Sequence, residues 1–301
     1  MGYPARCGKY LREFTQMSVL FVILASVIYG CVPTLQEYVM LSGASPLGLV
    51  IVCNAVAALA ALLAGILRGE DFRLGGKTAL SLLLTGAVGL FFTDYLLNLA
   101  YTLLPVGFVT MIHFLYPTIV CLIMTICFRE KLTKGKLGAI VLSVAGLVLL
   151  SGGNYGGSGK GVLVALATSF AYAFYMVAND RLPAGEVPLM ARSFYLNLIT
   201  AVTGLCVSGF THSVTLPHGA GNLAVSVLVG CLISTAVILL NAGIRKLGAA
   251  KAGFINMLEP VVSLVVSAVV YRYSVTAAAV VGSVLILGSL LLITLEDRKA
   301  P

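Results

Sequence analysis

Charged residues are scarce in this chain of 301 residues: they make up 10% of the sequence, whereas hydrophobic residues make up 59%. An average soluble domain has about 25% charged residues. A soluble fold of this composition would have to cover its surface with apolar side chains, whereas in a bilayer the lipid solvates those faces. The scarcity of charge therefore excludes an ordinary soluble domain and indicates an integral membrane protein.

Motifs that define other classes of protein are missing as well. The seven cysteines show no paired spacing and mostly lie in apolar runs, so we expect neither a disulfide framework nor a zinc site. The glycine-rich stretch 152–161 superficially resembles a phosphate-binding loop. However, Asn154 and Gly161 stand where the Walker pattern requires Gly and Ser or Thr. We interpret this stretch as a flexible linker and expect no cofactor and no metal.

The net charge of +8 does not indicate a nucleic-acid partner. The basic residues fall in short loops between apolar runs rather than on one amphipathic face. The polar, basic stretch 1–12 lacks the pattern of a cleavable signal, so the first apolar run is expected to be a retained span. The expected partners are the lipid bilayer and a small-molecule substrate.

Apolar runs long enough to cross a bilayer, which needs roughly 20 residues, recur along the chain. With the N-terminus placed in the cytoplasm, 17 of the 19 Lys and Arg residues lie in predicted cytoplasmic segments, and only Lys160 and Arg272 lie outside. This asymmetry follows the positive-inside rule. It predicts a protein of the plasma membrane, the inner membrane in a bacterium, with both termini cytoplasmic. The ten predicted spans are 17–35, 46–67, 79–101, 104–127, 136–152, 160–179, 188–210, 222–244, 248–270 and 275–295.

The sequence repeats itself at an offset of 143 residues without a gap. The matched pairs include Asn98 and Asn241, Pro117 and Pro260, and Arg129 and Arg272. The two repeats, 17–152 and 160–295, each hold five predicted spans, and an odd number forces the second copy to enter the membrane upside down. The predicted fold is therefore an all-α integral membrane protein of ten transmembrane helices, arranged as two inverted five-helix repeats around a central cavity. This architecture is typical of secondary transporters.

Several stretches resemble signatures of the EamA family, which belongs to the drug/metabolite transporter superfamily. These are 129–133, 139–146, 246–252 and 258–261. The resemblance covers essentially the whole chain. It implies export or exchange of small metabolites such as amino acids, driven by a proton or another gradient, through a cavity between the halves. The sequence departs from the family pattern at Tyr116 (often Glu), Asn54 (often Arg) and Tyr29 (often Trp).

Ionisable side chains within a bilayer are costly and usually face a cavity or a partner. Three lie well inside the predicted spans: Asp94, His113 and Glu259. We interpret the two carboxylates as candidates for a substrate or proton site, because a carboxyl group that takes up and releases a proton can couple substrate binding to proton movement. The alternative for all three residues is a structural one, in which a satisfied polar group holds helices together. His113 fits that alternative better than the carboxylates do.

Further candidates for the site are polar companions of these residues at helical spacing. Asn98 and Tyr101 share a face with Asp94, Tyr116 with His113, and Asn256 with Glu259. Tyr175 and Asn179 mark a face of the sixth span, which the family resemblance assigns to the cavity, and Tyr29 lies in the first span. The aromatic members fit packing or interface roles equally well.

Two prolines, Pro117 and Pro260, occupy matched positions in the two repeats. Proline removes an amide donor and crowds the preceding turn, so it can bend a helix. We therefore regard both as hinge candidates, with a static kink as the alternative.

These patterns lead to a secondary active transporter that works by alternating access, with a proton preferred over sodium as the coupling ion. Its expected substrate is an amino acid or a similar polar or amphipathic solute, moved by export or exchange. A passive facilitator or channel is the first alternative. An intramembrane enzyme is the second, and it would need a nucleophile or metal constellation that the sequence does not show. We therefore expect a protein that is not an enzyme.

Overall fold

The computed structural model describes residues 3–104, 106–150, 159–182, 187–211, 214–271 and 277–297. Helices account for most of these residues. They are α1 (Tyr3–Leu41), α2 (Pro46–Leu67), α3 (Gly76–Leu84), a π-helical segment (Thr85–Phe91), α4 (Phe92–Tyr101), α5 (Val106–His113), α6 (Tyr116–Phe128), α7 (Lys134–Leu150), α8 (Gly159–Arg181), α9 (Leu189–Thr211), α10 (Ala220–Leu247), α11 (Ala249–Asn256), α12 (Glu259–Tyr271) and α13 (Ala277–Asp297).

Within the described ranges, six helical stretches are long and apolar enough to cross a membrane. They are Gln16–Leu41, Pro46–Leu67, Gly76–Tyr101, Gly159–Arg181, Leu189–Phe210 and Ala220–Leu247. The predicted all-helical membrane architecture is therefore confirmed, and the count of ten crossings stays a prediction. Two of the predicted spans, 104–127 and 248–270, are not continuous helices, because each is divided into two shorter ones.

The outer surface of the helix bundle is apolar. On α2, Leu59, Leu63 and Ile66 are all more than half exposed, whereas Ala57 and Ala61 are completely buried. Large exposed apolar patches are rare on soluble monomers because water solvates them poorly. The exposed leucines and isoleucine fit a helix whose outer side faces lipid and whose small side chains allow close packing inside the bundle.

Helices that the repeat matches to each other run antiparallel. At one end, the Ser45 N–H before α2 donates to the Thr215 carbonyl beyond α9 at 2.9 Å. At the other end, the Ala191 N–H near the start of α9 donates to the Glu70 carboxylate beyond α2, also at 2.9 Å. In the matched pair α7 and α13, Gly138 adjoins Leu292, at the far end of α13. This antiparallel pairing is what an inverted repeat requires.

The two halves also interlock through their first helices. Helix α1 packs against α10, α11 and α12, and its match α8 packs against the π-helical segment, α4, α5 and α6. Each of these helices therefore lies against the third and fourth spans of the other half. As a result, the interior of the bundle is lined by residues from both repeats.

The fourth span of each half is broken at the same position. Helix α5 ends at His113 and α6 begins at Tyr116, while α11 ends at Asn256 and α12 begins at Glu259. The prolines Pro117 and Pro260 stand at the second position of the new helices, where the missing N–H of proline would have no intrahelical acceptor. They therefore begin a helix after a break instead of bending a continuous one.

The third span of the first half contains the π-helical segment, which is regular α-helix at the matched place in α10. Single turns of π-helix are rare and occur frequently at functional sites. Gly86 and Gly89 lie in this segment, and a Cβ on Gly89 would stand 2.9 Å from the Cβ of Tyr175 on α8. The segment therefore brings α4 close to α8, immediately before Asp94.

Candidate substrate and proton site

Asp94 lies in the first turn of α4 and is held by an asparagine from α2. The Asn54 Nδ2 donates to Asp94 Oδ2 at 3.0 Å and to the Val50 carbonyl at the same distance. Asn54 is only 1% exposed, and its Oδ1 has no hydrogen-bond partner among the described residues. Sequence reasoning noticed Asn54 only as a departure from the family pattern and missed its contact with the acid.

Glu259, at the start of α12, is held by a second asparagine. Asn256 Nδ2 lies 3.2 Å from Glu259 Oε2 and 3.1 Å from the Tyr116 hydroxyl, to both of which it donates. Its Oδ1 accepts from Ser26 on α1 at 2.9 Å. Asn256 is completely buried, so it joins α1 to both broken spans. Ser26 was not among the predicted residues, because a lone serine in an apolar run carries no distinctive signal.

Four tyrosines lie within electrostatic range of one or both carboxylates, and we call them the tyrosine box: Tyr29, Tyr116, Tyr172 and Tyr175. The Tyr116 and Tyr172 rings meet edge to face at 4.5 Å, and Tyr172 stacks on Tyr175 at 5.4 Å. Tyr29 lies within electrostatic range of Asp94, Glu259, Tyr116 and Tyr175. Tyr29, Tyr116 and Tyr175 were predicted for the site, and the structure relates Tyr29 to both acids, Tyr116 to Glu259 and Tyr175 to Asp94.

The two carboxylates and Tyr29 keep part of their surface accessible although helices of both halves surround them. Tyr101 lies within electrostatic range of Glu259 and also lines a pocket of about 240 Å³. That pocket lies toward one end of the bundle rather than at its centre. Its lining residues are Pro33, Glu37, Met40, Leu41, Tyr101 and Thr102.

The hydrogen bond of the His113 side chain is with Thr168 on α8 rather than with either acid. Its Nδ1 lies 2.9 Å from the Thr168 hydroxyl, which donates to the Ala165 carbonyl at 2.6 Å. With the hydroxyl hydrogen used in that way, Nδ1 carries the hydrogen that joins the ring to Thr168. Aromatic rings, including Tyr116 and Tyr172, surround the imidazole at 5.3 to 5.5 Å. The geometry favours the structural interpretation, in which His113 joins α5 to α8.

The two remaining asparagine candidates face in different directions. Asn98 donates to the backbone carbonyl of Asp94 at 2.8 Å and so stays within its own helix. Asn179, expected on the cavity face, instead accepts hydrogen bonds from Arg192 Nη2 at both its carbonyl (2.8 Å) and its Oδ1 (2.5 Å). Asn179 therefore belongs to a neighbouring polar group one helical turn away from Tyr175.

Arg192 corrects the sequence-based charge count. We assigned it to a cytoplasmic segment, but the structure buries its side chain completely, and its Nε and Nη1 have no hydrogen-bond partner in the described part of the chain. The available signal was its position inside the predicted span 188–210. Arg192 lies within electrostatic range of Tyr175, one member of the tyrosine box.

One end of the bundle carries the loops 68–75 and 129–133 and residue 248, and we call it the basic end. Polar contacts connect the helices at this end. Arg245 donates to the Val187 carbonyl, and Glu130 pairs with Arg181 and with Lys136, the latter at 3.3 Å. The pocket lies at the opposite end, beside the C-terminus of α1. In this conformation, therefore, the basic end is joined across several helices and the other end offers a recess.

These features define a polytopic helical membrane protein with polar side chains of both repeats gathered at two helix breaks. The model of the EamA-like transporter family matches residues 16–152 and 159–295. The chain belongs to this family, and the resemblance noted in the sequence is confirmed. Its general function is therefore transport, and the protein is integral to a membrane.

Individual relatives agree with the family. The chain is 27% identical over 295 residues to the uncharacterised inner membrane transporter YicL of Salmonella typhimurium, covering 95% of this chain and 97% of that protein. It is 26% identical over 220 residues to the aromatic amino acid exporter YddG of Ancylobacter novellus, covering 71% and 76%. A crystal structure with 20% identity superposes with a TM-score of 0.79 over 94% of this chain and 99% of the solved one, which shows a shared fold.

Proposed function

We propose that the protein is a secondary active transporter that moves a small polar or amphipathic metabolite by alternating access between its two halves. The observation that carries this proposal is the position of Asp94 and Glu259. They come from different repeats, yet both lie within electrostatic range of Tyr29 on α1. The relationship to an aromatic amino acid exporter supports an amino acid or a similar solute as substrate, moved by export or exchange.

The broken spans provide a physical basis for the movement. A helix break leaves backbone groups without intrahelical partners, which membrane proteins tolerate where the backbone lines a cavity or is buried in protein. Two breaks at matched positions let the half-helices α6 and α12 tilt independently of α5 and α11. Pro117 and Pro260 are the proposed hinges. By the positive-inside rule the basic end is the cytoplasmic one, so the conformation described has its recess toward the outside.

The two acids supply a site for the coupling ion. Each carboxyl is held by one asparagine amide, Asp94 by Asn54 and Glu259 by Asn256. Binding or release of a proton at either acid changes the charge that the site presents to the substrate. Proton and substrate then compete, or bind together, in a way that links the solute flux to a proton gradient.

The test is transport in proteoliposomes with and without an imposed pH gradient, after a thermal-shift screen of metabolite pools has found a substrate. We expect Asp94→Asn and Glu259→Gln each to lower gradient-driven transport at least about tenfold, equivalent to roughly 1.4 kcal/mol of lost interaction. Asp71→Asn, the same change at an exposed carboxylate in the loop 68–75, serves as the control and should transport normally.

Two outcomes would contradict the proposal. If both acid-to-amide variants keep full gradient-driven transport, these residues are not the coupling site. If the flux of the unmodified protein ignores the gradient and does not saturate with solute, the protein is a passive facilitator, the first alternative from the sequence.

A further inference from the structure

Buried hydrogen-bond donors without a partner are concentrated in one part of the bundle, on α9 and α10. Within the described ranges, the buried side-chain nitrogens that lack a hydrogen-bond partner are Arg192 Nε and Nη1, Asn241 Nδ2 and Arg245 Nε. Arg192 and Asn241 are completely buried. Buried polar groups in native proteins almost always have a partner, which is an ordered water or an ion where the chain supplies none. These donors therefore call for an acceptor that is not part of the chain.

Contacts with α8 hold the three side chains in one group. The Tyr175 hydroxyl donates to Asn241 Oδ1 at 3.3 Å. Asn179, one turn further along α8, accepts from Arg192 Nη2 at both its carbonyl and its Oδ1. Asn241 and Arg245 are four residues apart on α10 and therefore share a face, and Arg192 lies within electrostatic range of both Tyr175 and Arg245. We call Arg192, Asn241 and Arg245 the donor cluster.

The donor cluster carries two positive charges, and neither arginine forms an ion pair with a carboxylate in the part of the chain that the structure describes. Two carboxylates lie within electrostatic range, but each has another partner. Asp180, near Arg192, pairs with Arg181 at 3.2 Å. Glu70, near Arg245, accepts from a backbone N–H of α9 at 2.9 Å. Two like charges in a poorly solvated place repel strongly, and an anion beside both removes that repulsion.

From these observations we infer that the donor cluster binds a small monovalent anion of the size of chloride. Guanidinium and amide N–H groups donate to such an ion, and the unpartnered atoms of the cluster are all donors. A monatomic ion needs about the room of one water molecule and accepts from any direction, which suits a buried site with donors on three side chains. The cluster contains neither Asp94 nor Glu259, so this site is separate from the one proposed for the solute. The ion joins α9 to α10 near the basic end.

Replacement of one anion by another at constant ionic strength tests the inference. The purified protein is placed in a gluconate buffer, whose anion is too large for a buried site, and chloride or bromide is then titrated in. We expect the melting temperature to rise and to saturate, because a ligand that binds only the native state stabilises it. Broadening of the chloride-35 NMR signal by the protein, reversed by bromide, measures the same binding without unfolding.

Variants then locate the anion. Arg192→Leu removes a charge and two free donors and should weaken chloride binding at least about tenfold. Arg245→Gln, at a half-buried position, should weaken it as well and tests the site independently if Arg192→Leu gives no folded protein. Arg73→Gln is the matched control, because it removes the same charge from an exposed position in the loop 68–75 and should leave the affinity unchanged.

Two results would overturn the inference: equal melting temperatures in gluconate and chloride, or chloride binding that Arg192→Leu and Arg245→Gln leave unchanged. Water would then be the partner of the free donors. None of these measurements needs transport, so the failure of this inference differs from the failure of the proposed function. A protein that shows gradient-driven transport but binds no chloride keeps the proposed function and loses the anion site. A protein that binds chloride through Arg192 but shows no gradient-driven flux does the reverse.

Discussion

The broken span of the first half and its match in the second half have the same backbone and different chemistry. Both break for two residues and resume with proline at the second position, but the residue before the proline is Tyr116 in one and Glu259 in the other. The residues that end the first segments, His113 and Asn256, are matched as well, and only Asn256 contacts an acid. Both halves therefore keep the helix break, whereas only the second half carries an acidic residue, Glu259, at the break.

The second and third spans have diverged in the same way, but here the acidic residue belongs to the first half. Asn54 and its match Asn197 both donate to the carbonyl four residues earlier. Only Asn54 also meets a carboxylate, because the match of Asp94 is Val237. Each half thus contributes one acid, from the third span in the first half and from the fourth span in the second.

The largest effect that would sharpen this comparison concerns Leu49 and its match Arg192, both completely buried. Leu49→Arg would bury a charge without the asparagine that holds Arg192, a loss of several kcal/mol, so we expect no monodisperse protein. Arg192→Leu removes a charge and the two bonds to Asn179, which costs about 1–3 kcal/mol, and the protein should still fold. Size-exclusion chromatography in detergent and thermal unfolding distinguish the two. Equal loss of folding in both variants would show that Arg192 is needed for the fold itself.

A smaller effect is expected at Gly30 and its match Ala173. A Cβ on Gly30 would stand 2.7 Å from the Cβ of Val262 on α12, so Gly30→Ala forces α1 away from the second half at a cost of about 1–3 kcal/mol. Ala173→Gly should cost only about 0.5–1 kcal/mol. Gly76→Ala, where the added Cβ meets nothing within 4 Å, is the control for thermal unfolding. An unchanged melting temperature for Gly30→Ala would mean that α1 and α12 are less tightly packed than described.

The smallest effect separates the matched serines Ser26 and Ser169. The Ser26 hydroxyl shares its hydrogen between the Val22 carbonyl at 2.8 Å and Asn256 Oδ1 at 2.9 Å, whereas Ser169 donates to the Ile112 carbonyl at 2.6 Å. Replacement of either by alanine should cost about 0.6 kcal/mol, and at most about 1.7, as for other hydrogen bonds within membranes. Ser26→Ala should also lower solute affinity, because Asn256 holds Glu259, and Ser169→Ala should not. Paired measurements of melting temperature and binding decide this, and equal loss of affinity in both variants would exclude a positioning role for Ser26.

Much of the fold was predictable because bilayers constrain sequence strongly. The apolar runs marked the helices, and the rarity of intramembrane charge pointed to Asp94 and Glu259. The helix breaks were not predictable from periodicity, because each depends on contacts with the other half, such as the bond between Ser26 and Asn256. The burial of Arg192 was missed because a basic residue near a span end resembles a loop charge until its partner Asn179 is known.

The π-helical segment at Thr85–Phe91 also bears on how this protein can evolve. A π turn holds one residue more than an α turn, and each residue of an α-helix turns the chain by about 100°. The direction in which Asp94 points is therefore set by a count of residues upstream as well as by its own identity. Loss of one residue there would rotate the whole face of α4 that carries Asp94 and Asn98. Along this span, an insertion or deletion therefore acts on specificity as a substitution does elsewhere.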